Sequence, residues 1–222
     1  MPRSCIEGLI GSILGLSSDE YPEKLKNANI ALQIINEVRK ISLPVMNTHT
    51  DYWSKFGAYI GVSKKNQETK SFRTPARIEC LRNPHFRLYF DEEHLIDDLE
   101  KKLRDHQTVF FPYLGTNSMI SNFGFINSYD YTDEKLESPI GVSTIIPFFG
   151  KIPQIYPEKG VAFAIEQNLP LHLTNKRILT GSYSAVYSPQ GKPIKVCGLK
   201  VQKVLTKEED VFVTFIPSQV PS

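Results

Sequence analysis

The chain has 222 residues, 41% hydrophobic and 23% charged, with a formal net charge of +2. That is enough chain to bury a core, and its composition excludes wholesale disorder. No run reaches the eighteen or so apolar residues of a membrane span, and Cys5, Cys80 and Cys197 form no C-x-x-C pair, so structural zinc is not expected and a reducing cytoplasm is.

The first sixteen residues, from Met1 to Leu16, open with Arg3 and an apolar, glycine-rich run, Gly8–Leu16. The run mimics a secretory signal, but Glu7 abuts it and no A-x-A-like cleavage site follows. Ser4 and Glu7 make an S-x-x-E capping box, which predicts a helix starting near Cys5. Ile6, Leu9, Ile10, Ile13 and Leu14 supply its apolar stripe, while Gly8, Gly11 and Gly15 leave a bare face. Three interior glycines imply close backbone approach, to the protein's own sheet or to a partner.

Ile30–Ile41 reads as an aliphatic strand. Residues 42–80 have no clean period and are too long for an ordinary loop, so a protruding hairpin or arm is expected. His85–Phe90 alternates as a strand, and Glu92–Asp105 reads as a helix with Leu95, Ile96, Leu99 and Leu103 on one side. Val109–Phe111 and Met119–Ile126 return to strand character. The order is helix, strand, insertion, strand, helix, strand: a ferredoxin-like βαββαβ pattern without its first strand. Residues 1–132 are therefore expected to form one domain and 133–222 a β-rich region. That region holds short strands at Val161–Ile165, Leu169–Leu173, Ser182–Tyr187, Ile194–Val196 and Val211–Ile216, with a turn at Ser188-Pro-Gln-Gly191.

Charge is polarised along the chain. Lys55–Arg87 carries eight basic residues against Glu68 and Glu79, a net +6, whereas Asp91–Asp105 carries −4. A second basic run, Lys192, Lys195, Lys200, Lys203 and Lys207, contains no acid. In the first window and just before it, cations interleave with Trp53, Phe56, Tyr59 and Phe72. Single-stranded nucleic acid is held by that combination, cations on phosphates and aromatic faces on unpaired bases; the alternative is a solvated loop. Arg3 beside a helix start could seat a phosphate, and the turn Tyr113-Leu-Gly-Thr-Asn-Ser118 offers a close backbone approach at Gly115 with donors beyond it.

Catalytic signatures are absent from the sequence: there is no G-x-x-x-x-G-K-[ST] loop, no G-x-S-x-G elbow and no zinc spacing. Asp97, Asp98 and Glu100 read as a solvated helix face. Metal-free RNA cleavage would need a general base and acid. Of His49, His85, His94, His106 and His172, His49 is the first candidate because it stands beside Tyr52 and Trp53, and His106 the second.

Taken together, three marks resemble the CRISPR-associated Cas-five family, the RAMP-superfamily subunit of type I Cascade complexes. Pro2, Arg3, Ser4, Gly8, Leu9, Ile10, Gly11, Leu14, Gly15 and Leu16 fit its glycine-rich first helix. Glu79-Cys80-Leu81 fits its glutamate–x–leucine mark before a strand, and Phe110–Ser118 its Y-x-P-Y-L-G-x-S-like mark. The style is closest to subtype I-B. The resemblance implies an α+β, modified ferredoxin-like (RRM/RAMP) fold with a β-hairpin thumb over about residues 42–80 and a C-terminal antiparallel β region. It implies a cytoplasmic, non-catalytic subunit that caps the 5′ handle of the crRNA and contacts the backbone and large subunits near target DNA, with no membrane, metal or cofactor. RNA contacts would come from Arg3, Ser4, Trp53, Lys64, Lys65, Arg73, Arg77, Tyr113, Gly115 and Asn117. The alternative is the subtype I-C-like endoribonuclease, with His49 and Tyr113 as catalytic residues. Family members carry a first strand before the glycine-rich helix, and without it the sheet is expected to expose an unpaired edge, with poor solubility outside a complex.

Overall fold

The aliphatic run after the first helix forms a strand buried on both faces, and the rest of the main unit is arranged around it. This strand, β1 (Asn29–Ile34), has Ile30, Ala31, Leu32 and Ile34 buried. The structure, a computed structural model, describes residues 1–48, 73–115 and 119–220. It is a mixed α+β protein, mostly strands, and none of the helices among the described residues is long and apolar enough to cross a membrane. The chain divides into two units, Met1–Glu37 with His85–Ser222, and Val38–Pro84.

In the first unit, helix α1 (Arg3–Leu14) starts after Pro2, whose carbonyl accepts from the N–H groups of Cys5 and Ile6. The expected capping box does not form: Ser4 lies inside the helix and no side chain caps it. Glu7 turns instead toward Arg3 and His172. The bare glycine face finds its partner within the chain, because a Cβ on Gly11 would stand 2.8 Å from Cβ of Tyr21. Tyr21 opens the short helix α2 (Tyr21–Lys24), which brings its ring onto that face.

Strand β1 pairs antiparallel with β4 (Phe86–Asp91), from Asn29 opposite Asp91 to Ile34 opposite Phe86. The edge of β1 away from β4 is occupied by distant chain: Ile216 N–H donates to Ile30 O at 2.8 Å, and Ile145 N–H to Leu32 O at 2.8 Å. Ala31 and Tyr89 meet Val204, Val211 and Val213. The expected separation of residues 1–132 from 133–222 is thus not where the chain divides; these contacts bind both stretches into one unit.

Helix α3 (Ile96–Arg104) begins after a turn closed by Leu95 and Ile96 N–H on Glu92 O, later than the sequence predicts. Asp97 and Asp98 in its first turn and Lys101, Lys102 and Arg104 in its last match the helix dipole. The strands expected at Val109–Phe111 and Met119–Ile126 are absent; one isolated bridge joins Tyr113 and Ile120. The chain instead runs back along α3. The ring of Phe123 lies 5.8 Å from that of His106, Arg104 sits 4.0 Å above Phe125, and Ser128 donates to Glu100. A strand pattern is realised only where a neighbour completes the ladder, and among the described residues none does so here.

The C-terminal part holds two sheets. One is β7 (Ile146–Phe148), β10 (Ser182–Tyr187) and β9 (Ala164–Pro170), in that order. The other runs β5 (Tyr131–Lys135), β12 (Lys200–Val204), β13 (Val211–Val213), β6 (Ile140–Val142), β11 (Ile194–Cys197) and β8 (Gln154–Tyr156). Leu136, Val142, Ile146, Val186, Ile194, Val196 and Val201 form a core shared by the two sheets. The predicted turn closes with Gly191 N–H on Ser188 O at 3.0 Å.

The second unit is a two-stranded ribbon, β2 (Lys40–Thr48) against β3 (Arg73–Leu81), paired from Lys40–Leu81 to Thr48–Arg73. It forms the base of the hairpin expected over 42–80.

Candidate nucleic-acid interface

The ribbon is two-faced. Alternation places Ile41, Leu43, Val45, Ala76, Ile78 and Cys80 on one face, and Lys40, Ser42, Pro44, Pro75, Arg77, Glu79 and Leu81 on the other. Leu43 and Ile78, directly paired, remain 39% and 43% exposed. On the second face Lys40 meets Glu79 at 3.3 Å, an exposed pair worth little, and Arg77 is exposed. Arg39 and Arg82 close the base, with Arg82 N–H on Arg39 O at 2.7 Å. That bond fixes the pairing type, so Pro44 and Pro75 fall at positions whose nitrogens face outward. A proline there costs the ladder nothing and blocks further strands from adding.

Arg73 opens β3, opposite Thr48. Trp53, Lys64 and Lys65, which continue this arm in sequence, lie outside the described residues, as do His49 and Asn117.

The Tyr113 turn is displayed to solvent. Phe110, Phe111 and Tyr113 are 52%, 82% and 51% exposed. Leu114 N–H donates to Met119 O and Ser121 N–H to Pro112 O, each at 3.0 Å, so two short bonds hold the turn. Gly115 has φ of 93° with open space where a Cβ would stand, a conformation glycine adopts without strain.

Arg3 is placed quite differently from the phosphate seat expected of it. Its side chain is fully buried. Nε lies 2.8 Å from Glu7 Oε1, Nη1 donates to Ile216 O at 2.7 Å, and Nη2 donates to Ala28 O at 2.7 Å and more weakly to Leu25 O and Lys26 O. Glu7, also buried, accepts from the other side, Oε2 lying 2.9 Å from His172 Nδ1. Burial pushes the Glu7 carboxyl up from the ordinary range, opposed by Arg3 and His172. Each of the three guanidinium nitrogens donates within the fold, and Ser4 is buried beside it. Both residues leave the candidate interface. A single apolar-flanked arginine at a helix start carries no sequence signal separating these two fates.

Four of the five lysines of the second basic run are engaged within the fold. Lys195 pairs with Glu158 at 2.6 Å, Lys200 with Asp133 at 2.8 Å, and Lys203 with Asp210 at 2.9 Å. Lys192 donates to Gly160 O at 2.7 Å. The hydrogen bond from Lys200, then that from Gln202, holds the Asp133 carboxyl below its ordinary range. A run free of acids in sequence is thus matched by acids brought from other strands.

Of the histidines, His172 is in the buried cluster and His106 is exposed beside Phe123 with φ of 50°. Among the described residues no three His, Cys, Asp or Glu come together as a metal set. No protein-family model and no curated protein matches this chain.

Proposed function

We propose that this protein is a non-catalytic, RNA-gripping subunit of a type I CRISPR surveillance complex of the Cas-five kind, built on a modified ferredoxin-like domain and holding the 5′ handle of a crRNA. One observation carries the reading: the ribbon β2–β3 is amphipathic, with an exposed Arg77 on its polar face, and its two strands lead into a segment holding Trp53, Phe56, Tyr59, Lys55, Lys64, Lys65 and Lys70. A thumb of this composition can neutralise phosphates and stack bases. The displayed Phe110–Gly115 turn of the main unit is by itself an exposed aromatic surface on which an unpaired base can stack. The helix–strand–ribbon–strand–helix order supports the ferredoxin-like reading.

Backbone and large subunits are the protein partners of this reading, and the apolar ribbon face, Leu43 with Ile78, is of the kind a protein neighbour covers. The test is affinity capture of the tagged chain from cells that express its neighbouring genes and repeat array. Short RNAs of uniform 5′ end and companion proteins are expected, both reduced by Arg73→Glu with Arg77→Glu. Capture without RNA removes the proposal. Site-specific cleavage of a precursor RNA under chelation, lost on His49→Ala, would replace it with the endoribonuclease.

A further inference from the structure

The hairpin over residues 171–181 carries a left-handed arginine at its tip. Leu171 N–H donates to Gly181 O, Thr180 N–H to His172 O and Thr174 N–H to Ile178 O, so its two arms are paired. Arg177 N–H closes the loop on Thr174 O at 2.8 Å, and Arg177 has φ of 61°. A three-residue hairpin loop ends in a left-handed position that glycine or asparagine fills with little strain. Here an arginine stands in it. Its one compensation among the described residues is Tyr21: Nη1 donates to the Tyr21 hydroxyl, and the guanidinium carbon stands 5.6 Å from the ring centroid. A surface contact of that kind contributes less than the left-handed backbone costs an L side chain.

Strained residues cluster at ligand clamps and active sites, and this one is poised for an anion. Tyr21 is itself buried, its ring held on Gly11 of α1, so the platform under the guanidinium is fixed. Nε and Nη2 form the free edge of the fork, without a partner among the described residues, and Arg177 is exposed. No Asp or Glu stands between Glu166 and Glu208 in the sequence. Lys195, Lys200 and Lys203 receive their acids from elsewhere in the chain. Among the described residues no acid reaches Arg177 or its exposed neighbour Lys176 in the same way.

We propose that Arg177 seats a phosphate of the bound RNA, two phosphodiester oxygens being taken by its Nε and Nη2 N–H groups, with the Lys176 ammonium adding charge beside them. A guanidinium suits this role because its planar fork meets two phosphate oxygens at once, whereas a lysine there would bring the charge alone. The ligand is the backbone of a single strand, without regard to base. The inference rests on the RNA reading and adds to it a cationic contact on the main unit, where that reading had cations only on the ribbon and the segment it leads into.

Filter binding of a labelled single-stranded RNA to the full chain over a range of salt, beside thermal unfolding, tests it. Arg177→Gly is expected to weaken binding about tenfold and to lower the log–log salt slope by about 0.7. Its Tm is expected to stay at or above the parent's, because glycine relieves the left-handed position. Arg177→Lys is expected to keep the slope and lose part of the affinity. Unchanged affinity in Arg177→Gly, when Arg73→Glu with Arg77→Glu does weaken binding, overturns this inference and leaves the RNA reading standing. A Tm lowered by about 4 °C or more in Arg177→Gly also overturns it, since the side chain is then kept for its contact with Tyr21. A chain that binds no RNA removes both.

Discussion

His172 and Glu7, 165 positions apart in the chain, meet with Nδ1 of the one 2.9 Å from Oε2 of the other, both sealed from water. On the far side of the carboxylate stands Arg3, so a single acid holds two basic groups and, through Arg3, the carbonyls of residues 25, 26, 28 and 216. Removing one member of such a set leaves a charge buried alone. Glu7→Gln and Arg3→Ala are each expected to lower unfolding free energy by about 3–5 kcal/mol in urea titrations. A loss below about 1 kcal/mol, the size of an exposed pair, would show that water reaches the cluster.

RNA retention should separate the ribbon from the C-terminal lysines. Arg73→Glu with Arg77→Glu is expected to weaken binding of a single-stranded RNA and to flatten its salt dependence by about 0.7 in log–log slope per lost phosphate contact. Lys195→Ala with Lys200→Ala is expected to change neither, because Glu158 and Asp133 already engage those ammonium groups. Filter binding between low and moderate salt reads both. Equal effects from the two double variants would mean that the paired lysines are the true contacts.

Tyr131 supplies a pH signature. Partial burial, and then its hydrogen bond to Asp91, push its phenol from the ordinary 10.0 up to about 12. The folded state thus favours the protonated form. The stabilisation is fully present below pH 10 and is lost as pH rises through 10 to 12. Ultraviolet titration of the folded protein should show late ionisation that Tyr131→Phe removes, and the variant should lose less stability over that interval. Ordinary ionisation near 10 would break the assignment of the Asp91 bond.

Gly191→Ala should be destabilising on two counts. The residue has φ of 74°, and an added Cβ would stand 2.7 Å from the carbonyl oxygen of Ile34. The left-handed conformation alone costs about 1–2 kcal/mol, and the backbone clash adds to it. Thermal unfolding checks this, and a variant as stable as the parent would mean that the turn can move away from β1.

What could be read from sequence was what short-range pattern decides. Ser182–Tyr187, with buried residues at alternating and adjacent positions, occurs where expected, and Phe86–Asp91 lies one residue from its expected span. Tyr131–Lys135 was missed because a mostly exposed strand of polar residues, YTDEK, looks like loop; it exists because β12 pairs with it. Met119–Ile126 erred the other way, having the pattern without a neighbour. The base of a hairpin was legible from the length and missing period of residues 42–80, and a turn from Tyr113-Leu-Gly. The fate of Arg3 was not, since its partners at 25–28, 172 and 216 come together only in three dimensions. The pairing of the lysine run failed to show for the same reason.

The outer carbonyls of β1 are satisfied by residues 145 and 216, which ties this strand to segments far along the chain. A ribosome making this protein must deliver residue 216 before β1 can acquire its last neighbour. Completing the sheet around β1 therefore closes long loops, at a large cost in loop-closure entropy. Until then the nascent amino-terminal half holds its aliphatic segment open to chaperones, while the ribbon, closed between near neighbours in sequence, can zip as it emerges.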